Sequence, residues 1–395
     1  MRGPPIFSGK SLYTTLCPIM ALTSNFCRLL VACSPLLGTL GAAAQEQVLF
    51  ESGDLGYACF RIPAMVTWGP GGLLAFAEGR MEGCADFGDV DILMRRSTDG
   101  GATWSAPVVV ADNGNLQAGN ATPILDELDP AYPGGRLFLF YNTGTASEYD
   151  TRMGQGRRRG FFITSTDRGA TWSAPTDISG EIHFDRHSDR PEIDARTLAF
   201  APGHGVQLKD GPSAGRLFVP ANHSLGPPQD DFRDYTTYGA WSDDHGRTWH
   251  ASTDLDIPSS NEAMATEVNG TLLLNVRMQN RTDRRKRMAS STDGGSHWDS
   301  TWIAETLTTP VCQSSILHVE EMARTYHLGP ADTVARRNLA LWSSTDGGFG
   351  WVLGEIVFPG AAAYSDMAYL GQGRLAILYE RDDYARIVFS TLPLR

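Results

Sequence analysis

Lysine is nearly missing from this chain: of 33 basic residues, only Lys10, Lys209 and Lys286 are not arginine. Genome composition accounts for that bias. The net charge of −12 excludes nucleic acid and an anionic membrane surface as natural partners. Acidic residues are absent from 1–44, which hold Arg2, Lys10 and Arg28, so a chain without that segment would carry −12 − 3 = −15. No apolar run reaches the ~20 residues of a membrane span. The run from Leu29 to Leu40 follows Arg28 and precedes Ala42-Ala43-Ala44, which reads as an export signal over 1–44 with cleavage near Ala44 and Gln45. Cysteine is scarce: past that point only Cys59, Cys84 and Cys312 remain, and an odd number leaves at least one free thiol in an exported protein. His183, His187 and His204 lack metal-ligand spacing and no Cys/His cluster exists, so neither a metal nor a cofactor is expected. No amphipathic helix of three turns can be drawn.

What the chain has instead is a repeat. Ser97-Thr98-Asp99-Gly100-Gly101-Ala102-Thr103-Trp104 returns at 165–172 and 242–249, and in looser form at 291–298, with His297 in place of Thr, and at 344–351, with Gly350 there. In the shared S-x-D-x-G-x-T-W pattern, the Asp can accept backbone N–H bonds and fold its own turn. The Gly supplies a positive φ, and the Trp carries apolar surface back beneath the turn. Five such hairpin turns spaced 49 to 77 residues apart suit the four-stranded blades of a β-propeller. Such turns fix architecture and are silent on catalysis.

The rest reads as all β. Short runs at Leu73–Glu78, Asp91–Ser97, Arg136–Tyr141, Arg216–Pro220, Thr271–Val276 and Arg374–Tyr379 are bounded by Gly, Pro, Asn and Asp. The last run, Ile387–Thr391, is expected to join the ring to Val48–Phe50, which would remove an open strand edge. Residues 45–395 are therefore expected to form one domain.

Phe60-Arg61-Ile62-Pro63 is weakly specific alone, but it stands about 35 residues before the first of the repeated turns. This combination resembles the exo-α-sialidases (neuraminidases), whose signatures are an F/Y-R-I-P stretch followed by several such turns, known as Asp boxes. The resemblance covers essentially all of residues 46–395. It implies a six-bladed β-propeller of four-stranded antiparallel blades that removes terminal α-linked sialic acid from glycoproteins, glycolipids and oligosaccharides.

Carried over residue by residue, the resemblance implies that Arg61, Arg277 and Arg336 hold the substrate carboxylate, with Arg337 the rival for the third position. Planar guanidinium forks suit a carboxylate and never deprotonate. Glu380 matches a residue that orients the first arginine. Tyr364 matches the nucleophile and Glu262 its base. A phenol avoids setting a second anion beside the substrate carboxylate, a repulsion of about 4 kcal/mol at 4 Å and an effective dielectric of 20. Asp86 matches the proton donor, with Asp89 and Asp91 as neighbouring alternatives. Apolar neighbours such as Phe87 suggest a raised pKa for it. Arg80, Glu78 and Asn120 resemble residues lining the pocket, and Val311-Cys312-Gln313-Ser314 a stretch at its mouth. A disulfide between Cys59 and Cys84 is plausible, since these flank the two most informative motifs. The stretch Phe200–Leu208 departs from the family pattern at Ala201. Sialylated glycoconjugates are the expected partners, with no membrane insertion, and a monomer is the expected form. Transfer to another sugar, and a non-catalytic propeller that binds sialoglycans, are the alternative readings.

Overall fold

The computed structural model describes residues 46–280 and 283–394. The expected export signal lies outside the described residues. The chain winds into a ring of six antiparallel blades. Blade 1 consists of Cys59–Thr67, Leu73–Arg80, Val90–Ser97 and Val108–Ala111, and blade 2 of Ala118–Asp126, Arg136–Gly144, Arg158–Ser165 and Thr176–Asp177. In blade 3 the innermost strand is split into Ala199–Phe200 and Val206–Gln207, both pairing with Leu217–Ser224, and Tyr235–Ser242 and His250–Ala251 complete it. Blade 4 runs through Ser260–Val268, Thr271–Met278, Arg285–Ser291 and Ser300–Thr308.

Blades 5 and 6 share one long strand, Val352–Tyr369. Its first half pairs with Arg337–Ser344 of blade 5, and its second half, from Ala362, pairs with Arg374–Arg381 of blade 6. The outermost strand of blade 6 is Gln47–Glu51, which pairs with Arg386–Pro393 in the register Val48↔Val388, as the closure reading expected. Among the described residues the longest helix, Glu148–Arg152, has five residues, and none is long and apolar enough to cross a membrane.

The Asp boxes are built by their own side chains. Ser97 Oγ donates to Asp99 Oδ1 at 2.8 Å and accepts from the Gly101 N–H at 2.9 Å. Asp99 in turn accepts the Thr103 N–H at 2.9 Å and the Thr103 hydroxyl at 2.6 Å. The boxes at Asp167 and Asp244 repeat these bonds. In the fourth, His297 Nδ1 takes the place of the threonine hydroxyl, 2.8 Å from Asp293 Oδ2. The fifth has no side-chain donor at that position and relies on backbone, the Gly350 N–H at 2.9 and 3.0 Å and the Phe349 N–H at 3.1 Å. Hydrogen bonds from the Thr103 and Thr171 hydroxyls and N–H groups hold Asp99 and Asp167 down to about 2.

Each box tryptophan reaches onto the preceding blade, and Trp351 also meets His327 of its own blade. Trp104 meets Phe389, Trp172 meets Phe76, Trp249 meets Phe138 and Phe140, and Trp298 meets Phe218. Trp351 packs with Leu273 and Met288. Trp249 and Trp351 are buried; the other three stay half-exposed. The box thus does two jobs, turning the chain and cementing neighbouring blades through edge-to-face aromatic contacts.

Candidate active site

At the axial end of the ring, four innermost strands break register at the residues singled out from sequence. The ladder slips between Arg61 and Ala64, Gly119 and Thr122, Ser260 and Ala263, and Ala362 and Ser365. A bulge leaves a residue unpaired and re-aims its side chain. Three of these leave Asn120, Glu262 and Tyr364 without ladder partners, and the first leaves Ile62 and Pro63 unpaired directly after Arg61, which still pairs with Glu78. Ile62 and Asn120 pay for this with φ of 59° and 57°. For the β-branched Ile62 that is a strained conformation, held by its N–H donating to Glu380 Oε1 at 2.8 Å. Pro63 lies within the first bulge and Pro123 just after the second, where an inner edge strand does not miss an N–H.

Three guanidiniums surround one phenol. Arg61 and Arg336 place Cζ 5.0 and 5.3 Å from the Tyr364 ring centre, and Arg277 Nη1 donates to the Tyr364 hydroxyl at 2.7 Å. The hydroxyl itself donates to Glu262 Oε1 at 2.7 Å, and Arg277 also pairs with Glu262 Oε2. Burial pushes the phenol well above its ordinary pKa. Arg277 opposes that, Glu262 adds to it, and Arg336 and Arg61 oppose it further. Arg337 points away: its side chain is 59% exposed and bound to Asp332, which leaves Arg336 as the third arginine of the cluster.

Glu380 is fully buried and spends both oxygens on the site. It accepts Arg61 Nε at 2.9 Å, Arg61 Nη2 at 3.2 Å and the Tyr364 N–H at 3.1 Å, besides Ile62. A second buried pair, Glu78 and Arg80, repeats the arrangement at 2.6 and 2.9 Å, and Glu78 Oε1 also accepts the Asn120 N–H at 2.7 Å. The Asn120 amide donates to the Phe200 carbonyl at 2.8 Å, so its nitrogen braces the wall.

Asp86 sits at the open side, 2.8 Å from Arg80 Nη1 and 3.7 Å from Arg61 Nη1. Its loop is clasped to the Arg61 strand by a disulfide between Cys59 and Cys84, while Cys312 is a buried free thiol. The raised pKa suggested by Phe87 is not found. Desolvation in the cleft favours the neutral acid, but Arg80 and Arg61, with Arg158 adding, outweigh it and hold the carboxyl below its ordinary value. Asp91 accepts the Tyr57 hydroxyl at 2.6 Å.

Some neighbours left no signal in the sequence. Tyr384 stacks under Arg61, with Cζ 4.2 Å from its ring centre, and accepts Arg336 Nη1 at 3.1 Å. Arg158 is buried with its Nε unpartnered. Segment 311–314 is not at the mouth, as the sequence suggested: Cys312, Gln313 and Ser314 are buried behind Tyr364.

With this geometry in hand, comparisons with known proteins bear on its origin. The profile of the BNR repeat-like domain matches residues 71–377. A sialidase of Micromonospora viridifaciens is 33% identical over 85% of this chain and 52% of its own length. This chain belongs to the sialidase family. An exo-alpha-sialidase of Aspergillus fumigatus is 27% identical over 88% of this chain and 84% of its own length, and sialidase-2 of Cricetulus griseus is 27% identical over 89% and 96%. The chain thus spans about half of the Micromonospora protein and most of the other two. Among solved structures, a Hadza microbial sialidase superimposes with a TM-score of 0.75 at 23% identity, covering 88% of this chain and 68% of that one. A Trypanosoma rangeli sialidase superimposes at 0.67 and 20% identity, covering 85% and 55%. At those identities the likeness is one of fold.

Proposed function

We propose that this sialidase-family protein is an exo-α-sialidase that hydrolyses terminal α-linked sialic acids of glycoproteins, glycolipids and oligosaccharides. The observation that carries the reading is a single phenol, Tyr364, bonded at once to a carboxylate and a guanidinium inside a cluster of three arginines. An acidic sugar docks its carboxylate on Arg61, Arg277 and Arg336 through charge-assisted bonds. Its anomeric carbon then lies against the Tyr364 oxygen. Glu262 takes the phenolic proton as the oxygen attacks, the bond to the leaving oxygen breaks, and Asp86 gives that oxygen its proton. Water, deprotonated by Asp86, then attacks the anomeric carbon from the other side and breaks the bond to tyrosine, whose oxygen recovers the proton from Glu262. Two displacements retain configuration. A tyrosine nucleophile of this kind is a known exception among glycosidases.

The buried position of the phenol explains why a base and cations are both needed. Alone, a phenol pushed upward by burial is a poor nucleophile at neutral pH. The cations make the phenolate affordable while the substrate is being held. The Cys59–Cys84 disulfide supports an oxidising, exported setting.

The test is release of free sialic acid from a fluorogenic α-sialoside, with Tyr364→Phe expected to lower kcat by orders of magnitude while the protein keeps its melting temperature. An unchanged rate in that variant would take Tyr364 out of the chemistry. Adding lactose as acceptor separates hydrolysis from transfer, and binding of a sialoside without turnover would leave only a lectin-like propeller.

A further inference from the structure

Lys286 is a cation that the reaction outlined above does not use. It is one of only three lysines in the chain, and its side chain is almost wholly buried, in the wall behind the arginine cluster. The ladder between Arg285–Ser291 and Ser300–Thr308 slips between Arg285 and Arg287, so Lys286 has no ladder partner, as Asn120, Glu262 and Tyr364 have none. Its ammonium donates to the Cys312 carbonyl at 2.9 Å.

The segment held in this way is wired to the site at each residue. The Val311 carbonyl accepts Arg336 Nη2 at 3.1 Å. Cys312 packs in one apolar cluster with Ile62, Ala363 and Tyr364. The Gln313 amide donates to the Ser365 carbonyl at 3.0 Å and accepts the Ser365 N–H at 3.1 Å, one residue from Tyr364. From this placement we infer that Lys286 is a positioning residue: in its charged form it fixes segment 311–313, and through it Tyr364 and Arg336, so that turnover follows its protonation state. The inference rests on the sialidase reading above and goes beyond it.

The charged and titratable groups facing Lys286 are Cys312 from the segment itself, Arg277 and Glu262 from the two inner strands of blade 4, and His327 from Arg324–Pro330 of blade 5. Burial is the largest influence and lowers the lysine. Cys312 raises it, Arg277 lowers it and Glu262 raises it, for a net value of about 8. Burial and the lysine's own charge keep His327 neutral, and burial pushes the Cys312 thiol up. The sign follows directly. Below about 8 the ammonium is charged and the bond to Cys312 is charge-assisted. Above it an ordinary amine remains, the bond weakens, and a displacement of Tyr364 by a fraction of an ångström is enough to slow displacement chemistry. Arginine, elsewhere the chain's preferred cation, could not titrate in this range.

Two measurements on the intact protein test this. With an aryl sialoside, whose phenolic leaving group needs little help from Asp86, log kcat should break downward near pH 8. Lys286→Met should lower kcat about 10-fold at neutral pH with KM little changed, and should lose the break. Independently of any variant, protein carrying 13C-labelled lysine shows few lysine signals, and Lys209→Arg identifies the exposed one. The remaining signal from the folded domain should titrate near pH 8, with the same midpoint as the break in kcat. A lysine titrating at its ordinary 10.5, or a Met variant with wild-type kcat and an intact break, would overturn the inference while leaving the sialidase reading standing. Absence of turnover at every pH would remove that reading, and this inference with it.

Discussion

In the proposed reaction Asp86 has to give up a proton, yet two guanidiniums hold it as an anion. The conflict resolves if the substrate itself changes the balance. A carboxylate docking on Arg61 turns that cation's field toward itself and adds a negative charge nearby, so Asp86 should rise on binding. A general acid must be protonated, so its activity is lost as pH rises through its pKa. The kcat/KM profile reports the free protein and kcat the complex. The limb belonging to Asp86 should therefore lie at higher pH in kcat than in kcat/KM, and coincident limbs would show that Arg61 does not set its pKa. Asp86→Ala should also slow alkyl sialosides far more than aryl ones, because only the former need the proton. At this scale the sequence was informative about residue types and poor about charge partners. Arg61, Glu262 and Tyr364 could be matched to a family pattern, whereas the pairing of Asp86 with Arg80, and the Tyr384 ring under Arg61, depend on side chains brought together by loops.

The Asp box is the element in which sequence and structure agree most closely, since its bonds run between residues two and four apart. Its glycine carries a further constraint that the pattern alone does not show. Gly101 has φ 87°, and a Cβ there would lie 2.2 Å from the Phe389 ring of blade 6; Gly100, with φ 71°, has open space around it. Alanine at Gly100 should thus cost only the left-handed backbone term, about 1–2 kcal/mol. Alanine at Gly101 should add an overpacking cost of about 1–3 kcal/mol. Melting temperatures of the two variants check this, and equal losses would mean that the contact between blades carries no weight. The bulges at Ile62, Asn120, Glu262 and Tyr364 were harder to read. A slip of register is a property of two strands together, and only Pro63 and Pro123 hint at it from one.

Six blades with five boxes is a consequence of how the ring closes. Each box joins the third strand of a blade to its fourth, but in blade 6 the third strand is Arg386–Pro393 and the fourth, Gln47–Glu51, arrives from the other end of the chain, so no turn is needed. Counting boxes from sequence therefore falls one short of the blades, and the count of six came from family resemblance. The closing strand buries Leu49 and Phe50 to 3% and 2% exposure and ties Glu46 to Tyr379 and Arg381. Tyr379 and Arg381 flank Glu380, the carboxylate that holds Arg61, so closure and the site share one strand. Burying two such side chains contributes about 1.5–3 kcal/mol each. Deleting residues 46–51 should lower the melting temperature sharply and leave Arg386–Pro393 as an open edge that recruits other chains. A synthetic peptide spanning residues 46–52 should restore both the melting temperature and turnover, since the missing strand makes its contacts without a covalent turn. A truncated protein that melts and turns over like the full chain would mean that the N-terminal strand is an ornament on a ring already closed.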